Sequence, residues 1–423
     1  MRRTRSRPLL LAVFVVLLIL WLPSVAKGQA GALDSTFGGD GRVVTNFTTS
    51  FDEAVGLAIQ SDQKLVAAGA IRGSGGRFGL ARYNFDGTLD STFGGDGKVA
   101  TNFTRGFDGA FDVVLQADGK IVAVGYASGA GGRFALVRYE TDGSLDTTFG
   151  GDGKVTTNFT SGSDVAFGVA VQDDEMIVLT GRVGGSGGRI GLARYNVDGS
   201  LDTTFSLDGK AAINFTARDD RADLVAIQAD DKLVAAGTAS YTTRRARFAL
   251  TRLNADGSLD PTFGGDGRVT TNFTDWFDGA FAIAVQADQK IIAAGQADLA
   301  MGLARYDTDG GLDPSFGASG MVTTNFTRGV DYADDIEIDG GGNIVAVGSA
   351  NYYGRDSKFA LSRYTSDGTL DVSFGGNGKV TTNFTAGADR AFNVGIQADG
   401  RIVAVGRAAG SNGRFALARY LGT

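Results

Sequence analysis

Cysteine and histidine are absent from the 423-residue sequence, and proline occurs only four times. Without cysteine the chain cannot form disulfides, thiol nucleophiles or thiolate metal sites, and without histidine it cannot use a Ser-His-Asp triad. A catalytic function would therefore have to use other groups, and carboxylates are the candidates we consider. Glycine is abundant at 65 residues, and a hydrophobic fraction of 43% is normal for a chain that buries a core.

The first thirty residues differ from the rest of the chain. Four arginines in the first seven residues precede fourteen consecutive apolar residues, Leu9–Leu22, and small residues follow up to Ala30. A basic head, a short apolar run and a small-residue exit are typical of a secretory signal peptide. We predict a signal peptide at residues 1–30 and a mature protein that is secreted, periplasmic or at the cell surface. An uncleaved N-terminal anchor is the alternative, although fourteen apolar residues are short for a membrane span.

The net charge of the mature chain argues against some classes of partner. Removing residues 1–30 takes away four arginines and Lys27 but no acid, so the formal net charge changes from −7 to −12. An acidic protein is repelled by nucleic acids and by anionic lipid surfaces. We therefore expect no nucleic acid partner and no membrane insertion once the signal peptide has been removed.

The mature chain is a tandem repeat. An "LD" pair recurs at intervals of 53 to 58 residues, and so does a stretch such as "TTFGGDGKVTTNFT". The leucines of the pair are Leu33, Leu89, Leu145, Leu201, Leu259, Leu312 and Leu370. Seven units fill residues 31–423 and leave no room for a second domain.

Each unit contains four segments with the pattern of strands. In the second unit these are Ala110–Gln116, Lys120–Gly125, Arg133–Tyr139 and Lys154–Phe159, and no segment shows a capped helical period. Repeats of this length with four strands are typical of β-propeller blades. We predict an all-β fold, a single seven-bladed β-propeller with four antiparallel strands per blade. A solenoid is the alternative, but its repeats are usually shorter.

The consensus "DGxLDxxFGxxGxVxTxF…DxAxxVxxQxDGKIVAxG…RFALARY" resembles the delta-60 repeat family of bacterial β-propellers. The resemblance covers nearly all of residues 31–423 and is weakest in the fourth and sixth units. It implies a propeller and an exported protein. It implies no particular activity and assigns no catalytic residues.

The phase of the repeat predicts how the ring closes. We expect the "DxA" strand to be innermost, because one of its faces carries small residues in most units, and the "VTTNF" strand to be outermost. The last blade then takes three strands from Ala391–Tyr420 and its fourth from Arg42–Phe47. We also expect Phe149 and its equivalents to fill the wedges between blades.

Several residues recur in every unit, and for these we favour structural roles. The sequon "NFT" starts at Asn46, Asn102, Asn158, Asn214, Asn272, Asn325 and Asn383. An aspartate stands before the inner strand at Asp52, Asp108, Asp164, Asp220, Asp278, Asp331 and Asp389; we expect it to cap backbone N–H groups, with an acidic funnel as the alternative. An arginine precedes the last residue of the third strand at Arg82, Arg138, Arg194, Arg252, Arg305, Arg363 and Arg419, and we expect it to pair with the aspartate of "LD".

Residues that depart from the repeat are better candidates for function. The inner strand of the sixth unit reads "DYADDIEID", and simple alternation places Asp331, Asp335, Glu337 and Asp339 on one face. These four carboxylates form a hypothetical metal site for Ca²⁺. A solvated channel wall is the alternative, and no other cofactor is expected.

A second group of departures lies in the loops. Aromatic and arginine residues on one face are typical of binding anchors. The connections over blades four to six contain such residues: Tyr241, Arg244, Arg245, Trp276, Tyr352, Tyr353 and Arg355. We expect them to share one face of the propeller and Trp276 to be exposed.

The leading functional hypothesis is an exported, monomeric, non-enzymatic propeller that binds a protein or a glycan through this face. The first alternative is a carboxylate-based hydrolase or lyase that uses a cation. The chain has only four glutamates, Glu53, Glu140, Glu175 and Glu337, so the paired carboxyls needed for glycoside chemistry are scarce. The second alternative is a purely structural surface protein.

Overall fold

The computed structural model describes residues 29–73, 75–129, 131–184, 187–409 and 412–422. The predicted signal peptide, residues 1–30, therefore lies outside the described residues except for Gln29 and Ala30. Ala30 belongs to the folded body, because its carbonyl oxygen accepts a 2.8 Å hydrogen bond from the backbone N–H of Gly375. In the described part of the chain, no helix is long and apolar enough to cross a membrane.

The described residues form seven antiparallel sheets of four strands each, which confirms the predicted fold class. The strands of blades 1 to 3 are β2 (Asp52–Ile59), β3 (Leu65–Gly73), β4 (Gly75–Tyr83) and β5 (Lys98–Thr101); β6 (Asp108–Leu115), β7 (Ile121–Ala127), β8 (Arg133–Tyr139) and β9 (Lys154–Thr157); β10 (Val165–Val171), β11 (Ile177–Val183), β12 (Arg189–Tyr195) and β13 (Lys210–Ile213). Those of blades 4 and 5 are β14 (Arg221–Ile227), β15 (Leu233–Ala239), β16 (Arg247–Leu253) and β17 (Arg268–Thr271); β18 (Asp278–Val285), β19 (Ile291–Ala297), β20 (Ala300–Tyr306) and β21 (Met321–Thr324).

Blade 6 follows the same order, and blade 7 closes the ring with a strand from the other end of the chain. Their strands are β22 (Tyr332–Ile338), β23 (Ile344–Ala350), β24 (Lys358–Tyr364) and β25 (Lys379–Thr382); β26 (Arg390–Ile396), β27 (Ile402–Ala408), β28 (Arg414–Tyr420) and β1 (Arg42–Thr45). The outer strand β1 pairs with β28, in register from Arg42 opposite Ala418 to Thr45 opposite Phe415. The predicted closure is confirmed.

The hydrophobic core lies between neighbouring blades. Phe149, from the turn that leads into the outer strand of blade 2, packs with Phe134 of the same blade and with Val169 and Tyr195 of blade 3. Its equivalents are equally buried, which confirms the predicted wedge. They are Phe37, Phe93, Phe205, Phe263, Phe316 and Phe374.

The predicted ion pairs are present in all seven blades. The nitrogen–oxygen distances lie between 2.6 and 2.9 Å, and each arginine also stacks over the wedge phenylalanine of its own blade. Each guanidinium also donates to a carbonyl beyond its own blade, as Arg138 does to Val197 at 2.6 Å. The pairs are Arg82–Asp90, Arg138–Asp146, Arg194–Asp202, Arg252–Asp260, Arg305–Asp313, Arg363–Asp371 and Arg419–Asp34.

In six of the seven blades, the tyrosine that ends the third strand donates a hydrogen bond to a threonine on the outer strand of the preceding blade. The hydroxyl of Tyr139, for example, donates to Thr101 at 2.8 Å. Blade 4 has Leu253 in place of this tyrosine, and the outer strand of blade 3 has Ile213 in place of the threonine. Both are buried in one apolar cluster. The paired change keeps the interface free of an unpartnered buried hydroxyl.

The aspartates at the entry to the inner strands cap backbone N–H groups, as predicted, and do not form an acidic funnel. All seven are fully buried. Asp108, for example, accepts hydrogen bonds from the backbone N–H groups of Phe103 and Thr104, from the Thr104 hydroxyl and from the Ser128 N–H. The phenylalanine and threonine of each "NFT" sequon thus serve the same cap.

Candidate functional site

A β-bulge in every inner strand forms the site. In all seven blades the register shifts two residues after the capping aspartate, which inserts one extra residue. Bulges re-aim side chains, and all seven inserted residues line one central cavity. We call them the bulge ring: Val55, Phe111, Phe167, Asp223, Phe281, Asp334 and Phe392.

The central cavity lies at one mouth of the channel and has a volume of about 910 Å³. This volume is within the range of small-molecule and cofactor sites. Residues from the second-to-third-strand connections of blades 4 and 6 add to its wall, among them Tyr241 and Tyr352. The small residues of the inner strands let the blades approach this closely: a Cβ on Gly56 would lie 2.8 Å from the Cα of Asp112.

Two arginines of the inner strands are held by tyrosine rings on the cavity wall. The guanidinium of Arg221 lies 3.8 Å from the ring centre of Tyr241, and that of Arg390 lies 3.8 Å from the ring centre of Tyr352. Arg221 also pairs with Asp223 at 3.1 Å. Such stacks orient the cation while leaving part of its N–H fork available to a ligand.

The aromatic wall continues from the bulge ring to the rim. Ring centres are 5.6 Å apart for Phe281 and Tyr332, 4.6 Å for Tyr332 and Tyr352, and 4.8 Å for Tyr352 and Tyr353. Tyr332 is buried, whereas Tyr353 is 76% exposed. One wall of the cavity is therefore aromatic, and its rings become more exposed from the bulge ring outward to solvent.

Two carboxyls of the bulge ring have altered acidity. Burial raises the pKa of Asp223 to about 6, against the opposing charge of Arg221. Burial raises the pKa of Asp334 well above its ordinary value, and the negative charges of Asp223 and Asp335 add to this effect. Asp223 is therefore mainly ionised at neutral pH, whereas Asp334 holds its proton more tightly.

A second pair of carboxylates, Asp112 and Asp335, lies on the inner strands next to the bulge ring. Asp112 accepts backbone hydrogen bonds from Val113 and, at 3.0 Å, from Val169 of the next blade. Asp335 makes the equivalent 3.0 Å bond to Val394 of blade 7. Asp112 and Asp335 therefore join neighbouring inner strands, and both line a smaller cavity of about 410 Å³.

The raised pKa of Asp112 predicts that the stability of the fold depends on pH. Burial raises the pKa of Asp112 from 3.8 to about 7, although the two backbone hydrogen bonds that it accepts act in the opposite direction and lower the pKa. The folded state then binds a proton that the unfolded chain has released, so the unfolding free energy should fall as pH rises from about 4 to about 7.

Replacing Asp112 by asparagine should make the fall of the unfolding free energy with pH less steep, by up to about 1 kcal/mol per pH unit. Asparagine is a suitable replacement because Asn393 occupies the equivalent position in blade 7. Denaturant unfolding between pH 5 and pH 7 checks the effect. An unchanged slope in Asp112→Asn would contradict it.

The four carboxylates proposed to bind Ca²⁺ do not share one face. The bulge between Ala333 and Asp335 breaks the alternation on which that prediction rested. Asp331 caps its loop, and Asp339 accepts hydrogen bonds from Gly341 and Asn343 in a turn, which leaves Asp335 and Glu337 in the channel. Within the described ranges, no group of three or more acidic side chains could hold a metal ion.

Of the seven predicted binding residues, four line the central cavity. These are Tyr241, Arg244, Tyr352 and Tyr353. Arg245, Trp276 and Arg355 do not line it. Trp276 is 54% exposed, in agreement with the prediction for its side chain.

The sequence prediction missed the bulge ring and the arginines beside it, Arg221, Arg390 and Arg407. One signal could have found part of the ring. The third residue after the capping aspartate is apolar in five units and is aspartate only at Asp223 and Asp334.

The fold and the cavity define a seven-bladed propeller with a ligand-sized chamber on its axis. The chain belongs to the family described as "Domain of unknown function (DUF5122) beta-propeller". The family model matches residues 60–93, 116–149, 172–205, 228–263, 286–316, 342–374 and 397–422. This places the chain in a β-propeller repeat family, as the repeat pattern indicated. Among curated proteins, none matches the sequence.

Solved structures with a similar fold include enzymes. Virginiamycin B lyase from Staphylococcus aureus is 11% identical with a TM-score of 0.56, and the match covers 89% of this chain and 98% of that one. The periplasmic gluconolactonase of Pseudomonas aeruginosa is 15% identical with a TM-score of 0.52, over 80% and 87% of the chains. An ulvan lyase bound to -[GlcA(1-4)Rha3S]- is 10% identical with a TM-score of 0.51, over 88% and 97%. At these identities the likeness shows the fold alone.

Proposed function

We propose that the protein is an exported, non-enzymatic binding propeller that holds a segment of a glycan in its central cavity. The observation that carries the proposal is the bulge ring, whose four phenylalanines face the same chamber as the stacked pairs Arg221–Tyr241 and Arg390–Tyr352. Aromatic faces suit the apolar faces of sugar rings, and oriented arginines suit their oxygens.

The shape of the site favours a glycan over a protein partner. A protein surface needs an interface of well over 1,000 Å² in total, usually across a broad patch. The central cavity is instead a chamber of about 910 Å³ at the axis of the ring. A single extended chain of sugars can enter such a chamber, whereas a folded partner would reach only rim residues such as Tyr353 and Trp276.

The first test is a glycan array followed by calorimetry on the chain from residue 29 onward. Replacing Phe281 by valine, the residue that blade 1 has at Val55, should weaken binding about tenfold, because it removes an aromatic contact at the centre of the site. The control is Trp276→Gly, which alters the exposed loop outside the cavity and should leave the affinity unchanged.

Two results would contradict this proposal. Loss of binding in Trp276→Gly with full binding in Phe281→Val would place the site on the loop face. No binding to any glycan would favour a structural role at the surface.

One observation favours an enzymatic alternative. Asp223 and Asp334 occupy the same position in blades 4 and 6, face one cavity and differ in acidity. Two carboxyls whose pKa values are pushed apart can serve as base and acid in the cleavage of a glycosidic bond. New reducing ends after incubation with a bound polysaccharide, lost in both Asp223→Asn and Asp334→Asn, would establish this activity. Binding without new ends supports the non-enzymatic function.

A further inference from the structure

Two buried polar atoms in the central cavity have no partner within the protein. Among the described residues, five buried side-chain atoms lack a hydrogen bond, and only Oδ2 of Asp334 and Nε of Arg390 belong to residues that line this cavity. Buried polar groups are nearly always satisfied, so such atoms together in a chamber indicate a ligand that supplies the missing bonds.

The two residues lie on the inner strands of neighbouring blades. Asp334 is the bulge residue of β22, and Arg390 is the first residue of β26. The positive charge of Arg390 acts on the Asp334 carboxyl, along with the charges of Arg221, Asp223 and Asp335. One sugar residue could therefore contact both groups.

The position of Arg390 is fixed by Tyr352. The guanidinium stacks on the tyrosine ring at 3.8 Å, and its Nη2 donates to the Tyr352 carbonyl at 3.0 Å. This leaves the Nε–H of a rigidly placed cation available to an acceptor. Nitrogen donors on a planar guanidinium match the two oxygens of a carboxylate.

A hydroxyl group is a suitable partner for Oδ2 of Asp334. A carboxyl group, ionised or neutral, can hydrogen-bond to a sugar hydroxyl, which both donates and accepts. The equivalent residue is phenylalanine in blades 2, 3, 5 and 7, so the fold does not require a polar side chain here.

From this pair, and resting on the glycan-binding function proposed above, we infer that the cavity contains a subsite for a uronic acid. Its carboxylate binds the Nε–H of Arg390, and a neighbouring ring hydroxyl binds Oδ2 of Asp334. The aromatic rings of Phe281 and Tyr332 form the adjacent wall. The subsite thus selects acidic sugars even though residues 31–423 carry a formal net charge of −12.

The test compares matched ligands. Calorimetry measures the binding of oligogalacturonate and oligoglucuronate, of their carboxyl-reduced neutral forms with the same length and linkage, and of a sulfated neutral oligosaccharide. At least one acidic form should bind tenfold or more tightly than its reduced form, and more tightly than the sulfated probe.

Variants assign the preference to the subsite. Arg390→Gln should abolish the preference for the acidic form. Arg245→Gln is the matched control, since it removes the same charge from the same face but lies outside the cavity wall, and it should keep the preference. Asp334→Phe, which restores the residue of four other blades, should weaken acidic and reduced forms alike, with an unchanged melting temperature that shows intact folding.

Four results would overturn the subsite. Equal binding of acidic and reduced oligosaccharides would refute it while leaving glycan binding intact, and equal binding of the sulfated probe would refute the carboxylate assignment. A preference that survives in Arg390→Gln would place the anion elsewhere. Failure of every oligosaccharide to bind would refute both the subsite and the proposed function.

Discussion

Deletion of residues 31–47, the clasp, should cause the largest loss of stability of any change considered. The clasp supplies the outer strand β1 of blade 7, the wedge residue Phe37 and the ion-pair partner Asp34. Its removal leaves an exposed edge on β28 and a buried Arg419 without its carboxylate. Loss of a buried aromatic side chain and loss of a buried charge partner each cost about 3–5 kcal/mol.

Thermal unfolding and light scattering measure this effect. The deleted protein should aggregate or melt far below the chain that begins at residue 29. A synthetic peptide of residues 29–47, added in excess, should restore much of the melting temperature, because the clasp is held to the ring by non-covalent contacts. A deletion protein that melts like its parent would show that the ring closes in another way.

Replacement of Arg194 by alanine should destabilise the protein more than the same replacement in the five blades whose aspartate has a second cation. Arg194 is buried, binds Asp202 at 2.6 Å and donates to the Ala255 carbonyl of blade 4. In this blade Met176 stands where the second blade has Lys120, so Asp202 has no second cation. A buried carboxylate left alone in this way costs about 3–5 kcal/mol.

Two controls make this prediction specific. Arg138→Ala removes the same side chain from blade 2, but Asp146 keeps its 2.9 Å contact with Lys120, so the loss of unfolding free energy should be smaller. Lys154→Ala removes a surface pair with Asp152, and such pairs contribute less than about 1 kcal/mol. Denaturant unfolding ranks the three variants. Equal losses for Arg194→Ala and Arg138→Ala would contradict the role assigned to the unpaired Asp202.

The repeat made most of the fold predictable from sequence. A residue present in all seven units must satisfy the same local contacts seven times, and so Phe149 predicted the wedges and Asp108 the loop caps. The position of Arg42–Phe47 ahead of the first complete unit predicted the closure. The wedges and caps arise within a blade and between it and its neighbour, so the repeat predicts them; the closure followed from the phase of the repeat, since β1 pairs with β28 at the other end of the chain.

The site could be predicted only in part, because it depends on two features that alternation does not show. The bulge at Asp334 points this residue into the cavity and places Asp331 and Asp335 on different faces of the strand. The proposed Ca²⁺ cluster assumed simple alternation, which the strand does not follow. Ring closure brings Asp223 and Asp334 to one chamber although 111 positions separate them in the sequence. The loop residues Tyr241 and Tyr352 were found because they break the repeat visibly.

The central claim is that an acidic sugar binds on the axis of the ring, against Arg390 and Asp334. A crystal structure of the chain from residue 29 onward, grown with the oligouronate that binds best in calorimetry, tests it most directly. The predicted result is sugar density over Phe281, with the carboxylate on the Nε–H of Arg390 and a hydroxyl on Asp334. Density confined to the rim around Trp276 and Arg355, with neither Arg390 nor Asp334 in contact, would contradict the claim.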